Sequence, residues 1–474
     1  MKLRIRLLLL GVICVALVVL WLAVASQSVN MAASRSTAVN AVNALGIDLL
    51  RQTAPSSSNA LLSPYSVQLV MAMTCAGADG QTRDEMMRAL HYPQDENQLN
   101  RSFAELTANV NGIMSRDLTR AQLDFEMRTN CLISNMRLER NGNVFVAEEN
   151  QRIDEYLAEL KLHFTDSLLS LKIVNRIYGQ GGYHFRPAYL KMLADNWQAP
   201  LETVDFEHSA SGVTAQINSW VEDQTHGRIH DLIPAGALDQ YSRLVAVNAI
   251  YLKAPWLHSF SAERTQPGPF HLSDGTVIQV PIMSQPHEEN FLLGYARRSG
   301  TFGFPRHRYT VIAIPYQCPE LQFVILMPDR NNDLPALEAA LTPELLTTCT
   351  NLPGREMDLS LPKFKLEAPT LSLIPALQSL GMKRAFECTN ADFGRTADMS
   401  REQPLYLTGV YHKTFLQLDE AGTEASAGMG SARGTYGMDT NVPVQIQIDR
   451  PFLFMIQHQP TGACLFLGRV TDPR

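Results

Sequence analysis

The chain has 474 residues, of which 45% are hydrophobic, 18% charged and 8% aromatic, and its net charge at pH 7 is −7. This composition is typical of a globular protein with a full hydrophobic core, and it excludes collagen-like, fully disordered and polytopic membrane proteins. The acidic balance argues against nucleic acid as a partner. Seven cysteines are too few for a disulfide scaffold, and no Cys-x-x-Cys or Cys/His cluster indicates zinc. We therefore expect neither a metal nor another cofactor.

The first 25 residues have the pattern of an export or anchoring segment. Three basic residues within the first six precede an uncharged run, Leu7–Ala25. The small residues at the end of the run suit cleavage of a signal peptide, whereas its length is nearly sufficient for a membrane anchor. In either case the next positive charge is Arg35, so the body is predicted to lie outside the cytoplasm. Residues 26–37 read as a short linker.

Helical and strand patterns alternate from residue 38 onward without a strong linker, which favours one large α+β domain. In Ala215–Val221 the apolar residues recur at i, i+3 and i+4. This spacing predicts an amphipathic helix that ends near Gly227.

Four β-rich runs follow in the last third of the chain. Thr310–Tyr316 and Leu321–Met327 are separated by four residues, which is the pattern of a hairpin. Val444–Ile448 alternates apolar and polar residues like a half-buried strand, and Ala463–Val470 is a nearly continuous apolar run. The C-terminal part is therefore predicted to be rich in β-sheet.

Between the second and third of these runs lies a segment of unusual composition, Ala421–Asn441. In it, 14 of 21 residues are Gly, Ala, Ser or Thr. Such a segment buries too little apolar surface to form a core, so a flexible surface linker is its simplest interpretation. A loop of this length inside a compact domain is nevertheless usually functional or disordered.

Seven separate motifs are distributed over roughly residues 38–474. They are NALLSPYSVQLVMAMTCAGADGQTRDEM (59–86), INSWVEDQTHGRIHDLI (217–233), VNAIYLKAPWLHSF (247–260), LPKFKLE (361–367), LQSLGMKRAF (377–386), HKTFLQLDEAGTEASAG (412–428) and DRPFLFMIQHQPTGACLFLGRVTDP (449–473). These motifs resemble the serpin family, in which they occur in the same order.

The resemblance implies an α+β fold with three β-sheets, eight or nine helices and an exposed reactive-centre loop at about 422–443. It also implies an inhibitor and not an enzyme. The target protease attacks the loop as a substrate and forms an acyl-enzyme, and the cut loop inserts into the main sheet before hydrolysis is complete. Residues 113–168 make the chain markedly longer than a typical serpin, and an exosite, an anchoring surface and a neutral insertion are alternative interpretations of them.

The resemblance also places the hinge of the loop, at Glu420, Gly422, Thr423, Ala425, Ser426 and Ala427. Insertion requires side chains that fit between existing strands, and this hinge meets the requirement because Thr423, Ala425 and Ala427 are small and alternate along one face. A strand from Thr423 to Tyr436 would carry the cut end about 46 Å.

Family spacing, counted from Glu420, implies cleavage between Tyr436 and Gly437. An exposed tyrosine suits chymotrypsin-like proteases, with elastase-like and subtilisin-like enzymes as related candidates. Arg433, which suits trypsin-like or papain-like proteases, and Met438 are alternative cleavage positions, because the loop is longer on its C-terminal side than in many relatives.

Five further residues match structural motifs of the family. Ser63, Ser66, Asn248 and His412 resemble the shutter, a polar cluster beneath the part of the sheet that opens. Read alone, the serine pair near a proline is typical of a helix cap, and a single histidine is typical of a satisfied core residue. Trp256 resembles the tryptophan of the breach, at the top of the sheet where insertion begins.

The sequence is compatible with two functions. The first is a monomeric protease inhibitor, either secreted or anchored to a membrane with its body outside the cytoplasm. The second is a non-inhibitory binding or chaperone protein of serpin fold, for which bulky or charged hinge residues are expected and are not present. An enzyme is disfavoured, because neither Gly-x-Ser-x-Gly nor His-Glu-x-x-His occurs.

Overall fold

A computed structural model describes residues 37–138, 168–197, 199–287, 293–299, 308–398, 404–423 and 443–474, with five further positions between 155 and 164. The predicted leader and nearly all of the linker, residues 1–36, lie outside these ranges. None of the helices in the described ranges combines the length and hydropathy needed to span a bilayer.

The first of three sheets, the front sheet, contains the longest strands. From edge to edge it consists of β12 (Phe364–Glu367), β14 (Leu407–Leu418), β15 (Gly422–Thr423), β4 (Leu244–Pro255), β2 (Ser170–Gln180) and β3 (Glu202–Val204), and β13 (Leu371–Ser372) also pairs with β14. Strands β4 and β14 are parallel neighbours over most of their length, because Leu407–Thr414 pairs with Leu244–Ile250.

The other two sheets are antiparallel apart from one parallel pair in the small sheet. The back sheet has the order β1 (Ala60–Leu62), β18 (Ala463–Val470), β17 (Phe452–His458), β9 (Leu321–Pro328), β8 (Arg308–Pro315), β7 (Leu293–Ser299) and β10 (Gly354–Arg355). The small sheet has the order β16 (Val444–Gln447), β11 (Met357–Pro362), β6 (Val277–Gln285) and β5 (Gln266–His271). Every residue of β9, β17 and β18 is buried, which explains why these strands are continuous apolar runs instead of alternating ones.

Helices occupy mainly the first half of the described chain. They are α1 (37–53), α2 (Pro64–Ala76), α3 (Gly80–Ala89), α4 (Glu96–Asn111), α5 (Ile113–Leu138), α6 (Pro187–Trp197), α7 (Phe206–Gln224), α8 (Leu334–Ala339), α9 (Pro343–Thr348) and α10 (Ile374–Ser379). Helix α2 contacts β2, β4 and β18 and is buried around its circumference, because it lies between the front and back sheets.

Helix α7 covers the opposite face of the front sheet. Ile217 and Val221 pack there against Val245 and Val247 of β4. The guanidinium of Arg176 on β2 lies 3.9 Å from the ring centroid of Trp220. The front sheet is therefore held between α2 on one side and α7 on the other.

The predicted elements are confirmed where the structure describes them. The predicted helix Ala215–Val221 is the second half of α7, the predicted hairpin is β8–β9, and the last predicted strand is β18. The predicted class, α+β with three sheets, is confirmed as well.

Candidate functional site

The central feature of the site is a two-residue strand, β15, between the upper ends of β4 and β14. Thr423 pairs with Leu418 of β14 on one side and with Ala254 of β4 on the other, and both pairings are antiparallel. Gly422 and Thr423 are buried. The prediction placed the start of the exposed loop at about Gly422, whereas Gly422 and Thr423 are buried and belong to the front sheet.

Gly422 is required by the close approach of β15 to β4. Its φ is +155°, and a Cβ at this position would lie 2.3 Å from the carbonyl oxygen of Ala254 and 2.7 Å from Cα of Pro255. Any other residue would push the two strands apart. The glycine therefore allows the chain to turn back into the sheet directly after β14.

The turn that joins β14 to β15 is tightly bonded to its surroundings. Asp419 accepts hydrogen bonds from the amides of Ala421 (3.0 Å) and Gly422 (3.3 Å). The carboxylate of Glu420 accepts from Lys363 Nζ (2.7 Å) and Thr265 Oγ1 (2.8 Å). Burial acts to raise the pKa of Glu420, but these hydrogen bonds outweigh it and hold the pKa below its usual value. Glu420 is therefore a charged anchor at the base of the loop.

Trp256 lies directly beneath this turn. Its indole N–H donates to the carbonyl of Asp419 (3.0 Å), and its ring stacks on Tyr316 with centroids 4.7 Å apart and an interplanar angle of 4°. The hydroxyl of Tyr316 lies 2.5 Å from Oγ1 of Thr423. The aromatic pair therefore contacts both ends of the turn and holds β15 in place.

The four predicted shutter residues come together beneath the middle of the front sheet. Ser63 caps α2, and its side chain accepts from the amide of Ser66. The side-chain amide of Asn248 on β4 donates to Ser66 Oγ, and its oxygen meets Nδ1 of His412 on β14. Sequence reasoning missed one member, Asn175 on β2, which accepts a hydrogen bond from Asn248. No local pattern singled it out, because β2 also contains other polar residues such as Lys172 and Arg176.

His412 is held neutral by this cluster. The amide of Ser63 donates to its Nε2 (3.0 Å), so Nε2 is the acceptor and Nδ1 carries the proton toward Asn248. Burial lowers the pKa of His412 from its ordinary value of 6.5 to about 3. Protonation of Nε2 would place two donors face to face and break the link between α2 and β14.

This arrangement predicts a pH-dependent loss of stability below about pH 6.5. Between pH 6.5 and about 3 the unfolded chain binds a proton at His412 that the native chain does not bind, so acid favours unfolding; above pH 6.5 both states are neutral there. The free energy of unfolding should therefore fall with a slope that approaches about 1.4 kcal/mol per pH unit from this residue alone.

Urea unfolding at a series of pH values, for the wild type and for His412→Asn, measures the slope. The pKa of His458 is also lowered by burial, and it contributes equally to both proteins, so the difference between the slopes isolates His412. Equal slopes would show that His412 is not the buried titrating group.

The remaining predicted site residues lie outside the described residues. They are the hinge residues Ala425, Ser426 and Ala427, the predicted bond Tyr436–Gly437, and the alternatives Arg433 and Met438. The chain is described again from Pro443, and β16 follows, paired in parallel with β11. Within the described ranges no group of His, Cys, Asp and Glu is arranged to hold a metal, and the six cysteines after Cys14 form no disulfide.

The comparisons with known proteins agree with this geometry. The family described as "Serpin (serine protease inhibitor)" matches residues 40–141 and 134–473. Serpin B10 of Otolemur garnettii is 32% identical over 92% of this chain and 99% of its own length, and the leukocyte elastase inhibitor of Homo sapiens is 30% identical over 88% and 94%.

Two solved structures have the same fold. Serpin48 of the insect Tenebrio molitor has a TM-score of 0.66 at 24% identity and covers 93% of this chain and 98% of its own. Native protease nexin-1, solved with heparin, has a TM-score of 0.69 at 21% identity and covers 94% of this chain and 100% of its own. On the family match and the curated relatives together, the chain belongs to the serpin family of serine protease inhibitors.

Proposed function

We propose that this protein inhibits serine proteases as a suicide substrate, by inserting the segment that follows Thr423 between β4 and β14. The observation that carries the proposal is β15 itself. Its two residues are already hydrogen-bonded to both strands, so the first step of insertion is built into the intact protein.

The two strand registers agree on where the inserted residues would lie. Continued along β4, the register places residue 427 opposite Ile250, and continued along β14 it places residue 427 opposite Thr414. Ile250 and Thr414 are themselves the uppermost pair of the β4–β14 ladder. The small residue Ala425 would therefore enter before any pairing between β4 and β14 is lost, and Ala427 would displace the first pair.

Further insertion would open the sheet at the shutter. The same registers bring Met429 opposite both Asn248 and His412, which pair with each other in the intact protein. Each inserted residue exchanges part of one parallel ladder for two antiparallel ones, and antiparallel pairing is slightly more stable per residue. Insertion therefore gains backbone hydrogen bonds throughout, and this gain would drive the trapping of the protease.

The chemistry of the trap is that of an interrupted hydrolysis. The protease's catalytic serine attacks the carbonyl carbon of Tyr436, the bond to the nitrogen of Gly437 breaks, and the serine's proton passes through the protease's histidine to the new amine. The protease stays joined to Tyr436 as an ester while insertion proceeds. Extended to the lower ends of β4 and β14, the two registers would reach residue 433 or 434, so a cut after Tyr436 would let the loop fill the whole gap.

The target class that we favour is chymotrypsin-like, including elastase-like enzymes. Tyr436 suits the substrate pockets of such enzymes, and one relative is named for its inhibition of leukocyte elastase. We propose that each monomer presents one loop and traps one protease.

We also propose that the body acts outside the cytoplasm, because of the basic start and the apolar run Leu7–Ala25. This location is tested by adding a protease to intact cells that express the full chain and by assaying the medium for the protein. A chain that is protected from the added protease and absent from the medium would contradict it.

The proposed function is tested by incubating residues 26–474 with chymotrypsin, elastase, subtilisin, trypsin and papain. Denaturing gels detect the covalent complex, and the intact mass of the released C-terminal peptide identifies the cut bond. We expect a denaturant-stable complex with chymotrypsin or elastase and a peptide that begins at Gly437. Cleavage by every protease without any complex would instead favour the non-inhibitory binding protein.

A further inference from the structure

Helix α5 begins the segment in which the chain is longer than a typical serpin, and its first turns are bonded to the body. Arg116 donates to both carboxylate oxygens of Glu320 (2.8 and 2.7 Å), and Arg120 donates to the carbonyl of Gln317. Asp117 accepts from the amide of Leu169, next to the start of β2 (3.2 Å). The first two turns of α5 are therefore held against residues 317–320 and the start of β2, at the edge of the molecule that we call the upper edge.

The same edge carries the base of the reactive loop. The amide of Gln317 donates to the carbonyl of Pro255 (2.8 Å), and Pro255 pairs with Gly422 of β15. The neighbour of Gln317, Tyr316, contacts Thr423. Two hydrogen bonds and one strand pairing therefore connect Arg120 of α5 to Gly422 of β15, the residue before Thr423.

One face of α5 continues past the body with exposed apolar side chains. Arg116, Arg120, Leu123 and Met127 follow the spacing i, i+4, i+7 and i+11, which places all four on a single helix face. The first two contact residues 317–320, whereas Leu123 is 56% exposed and Met127 is 64% exposed. Leu118 is 40% exposed but lies on the opposite side, two residues from Arg116 and Arg120.

We propose that Leu123 and Met127 form an exosite for the protease that is held on the reactive loop. This inference rests on the proposed function. Leu123 and Met127 lie about 4.5 and 10 Å beyond Arg120 along the helix. A protease domain of about 230 residues has a radius of gyration of about 17 Å, so an enzyme held on the loop would be large enough to reach residues one or two turns beyond Arg120, which is linked to the base of the loop through Gln317 and Pro255. The flexible, apolar methionine side chain adapts readily to a partner surface.

The chemistry of the patch indicates how it contributes. The patch, Leu123 and Met127, is flanked by charges of both signs. Asp124 and Glu126 lie between the two residues in sequence, and Arg128 pairs with Asp124 at 2.8 Å, so the electrostatic potential around the patch is not strongly positive or negative. It would therefore recognise an apolar surface beside the protease's active-site cleft by burial, not by charge. Its contribution would be to the encounter complex, before the loop is cut.

The test compares the double variant Leu123→Ser/Met127→Ser with the matched control Leu118→Ser, a leucine on the other face of the same helix. The measured quantity is the second-order rate constant for formation of the denaturant-stable complex, with the panel protease that forms it fastest. We expect about a tenfold lower rate for the double variant, a wild-type rate for Leu118→Ser, and an unchanged number of inhibitor molecules consumed per protease.

Equal rates for all three proteins, or equal losses in both variants, would overturn the exosite while leaving the inhibitory function intact, because complexes would still form. Failure of the wild type to form a complex with any protease would instead overturn the proposed function, and the exosite with it.

Discussion

Replacing Thr423 with arginine is expected to turn the protein from an inhibitor into a substrate. Thr423 is 1% exposed, pairs with strands on both sides and contacts the Tyr316 hydroxyl. An arginine there has no acidic partner among these contacts, and an uncompensated buried charge is strongly unfavourable. The first step of insertion would therefore be slowed while the loop remains open to attack.

The consequence is a change in how the acyl-enzyme partitions. Hydrolysis of the ester competes with insertion, and each 1.4 kcal/mol added to the insertion barrier favours hydrolysis by about tenfold. For Thr423→Arg we expect at least about ten inhibitor molecules consumed per protease inactivated, with an unchanged rate of loop cleavage. Titration of protease activity against inhibitor measures this number.

Thr423→Ser is the matched control for this variant, because it keeps the hydroxyl that meets Tyr316 and fits the same space. It should inhibit like the wild type. Efficient complex formation by Thr423→Arg, in a protein whose circular dichroism is native, would mean that β15 is not where insertion begins.

The sequence predicted those parts of the fold that depend on local patterns. The hairpin β8–β9 and the strand Ala463–Val470 follow from runs of apolar and β-branched residues. The predicted helix at Ala215–Val221 is real but begins earlier, at Phe206. The part before the predicted helix was missed because most of its residues are polar or small. Asp205 caps its first turn by accepting from the amide of His208, and the helix is kinked at Ser209, whose φ of −144° and ψ of 42° are not helical.

Only those residues of the site that belong to recognisable sequence motifs could be predicted. The shutter residues Ser63, Ser66, Asn248 and His412 were identified by resemblance, and the structure brings them into one hydrogen-bonded cluster. The burial of Gly422 and Thr423 was not predicted, because it depends on the gap that β4 and β14 leave at their upper ends. The contacts of Arg116 with Glu320 join residues 204 positions apart, and no local pattern encodes such a pairing.

We propose that the intact protein is held short of its most stable state and reaches that state by loop insertion. A chain cut after Tyr436 is free to extend β15 along β4 and β14, where it adds antiparallel ladders on both sides and buries the small side chains of the hinge. A chain that merely displays a flexible loop gains nothing from the same cut.

The most direct measurement is therefore the thermal unfolding of the protein before and after limited cleavage in the loop, with Thr423→Arg treated in the same way. We predict that the cleaved wild type gains about 5 kcal/mol or more, which raises its Tm by roughly 5 °C or more, while the cleaved arginine variant gains much less. An unchanged or lower Tm for the cleaved wild type would contradict insertion and, with it, the proposed mechanism of inhibition.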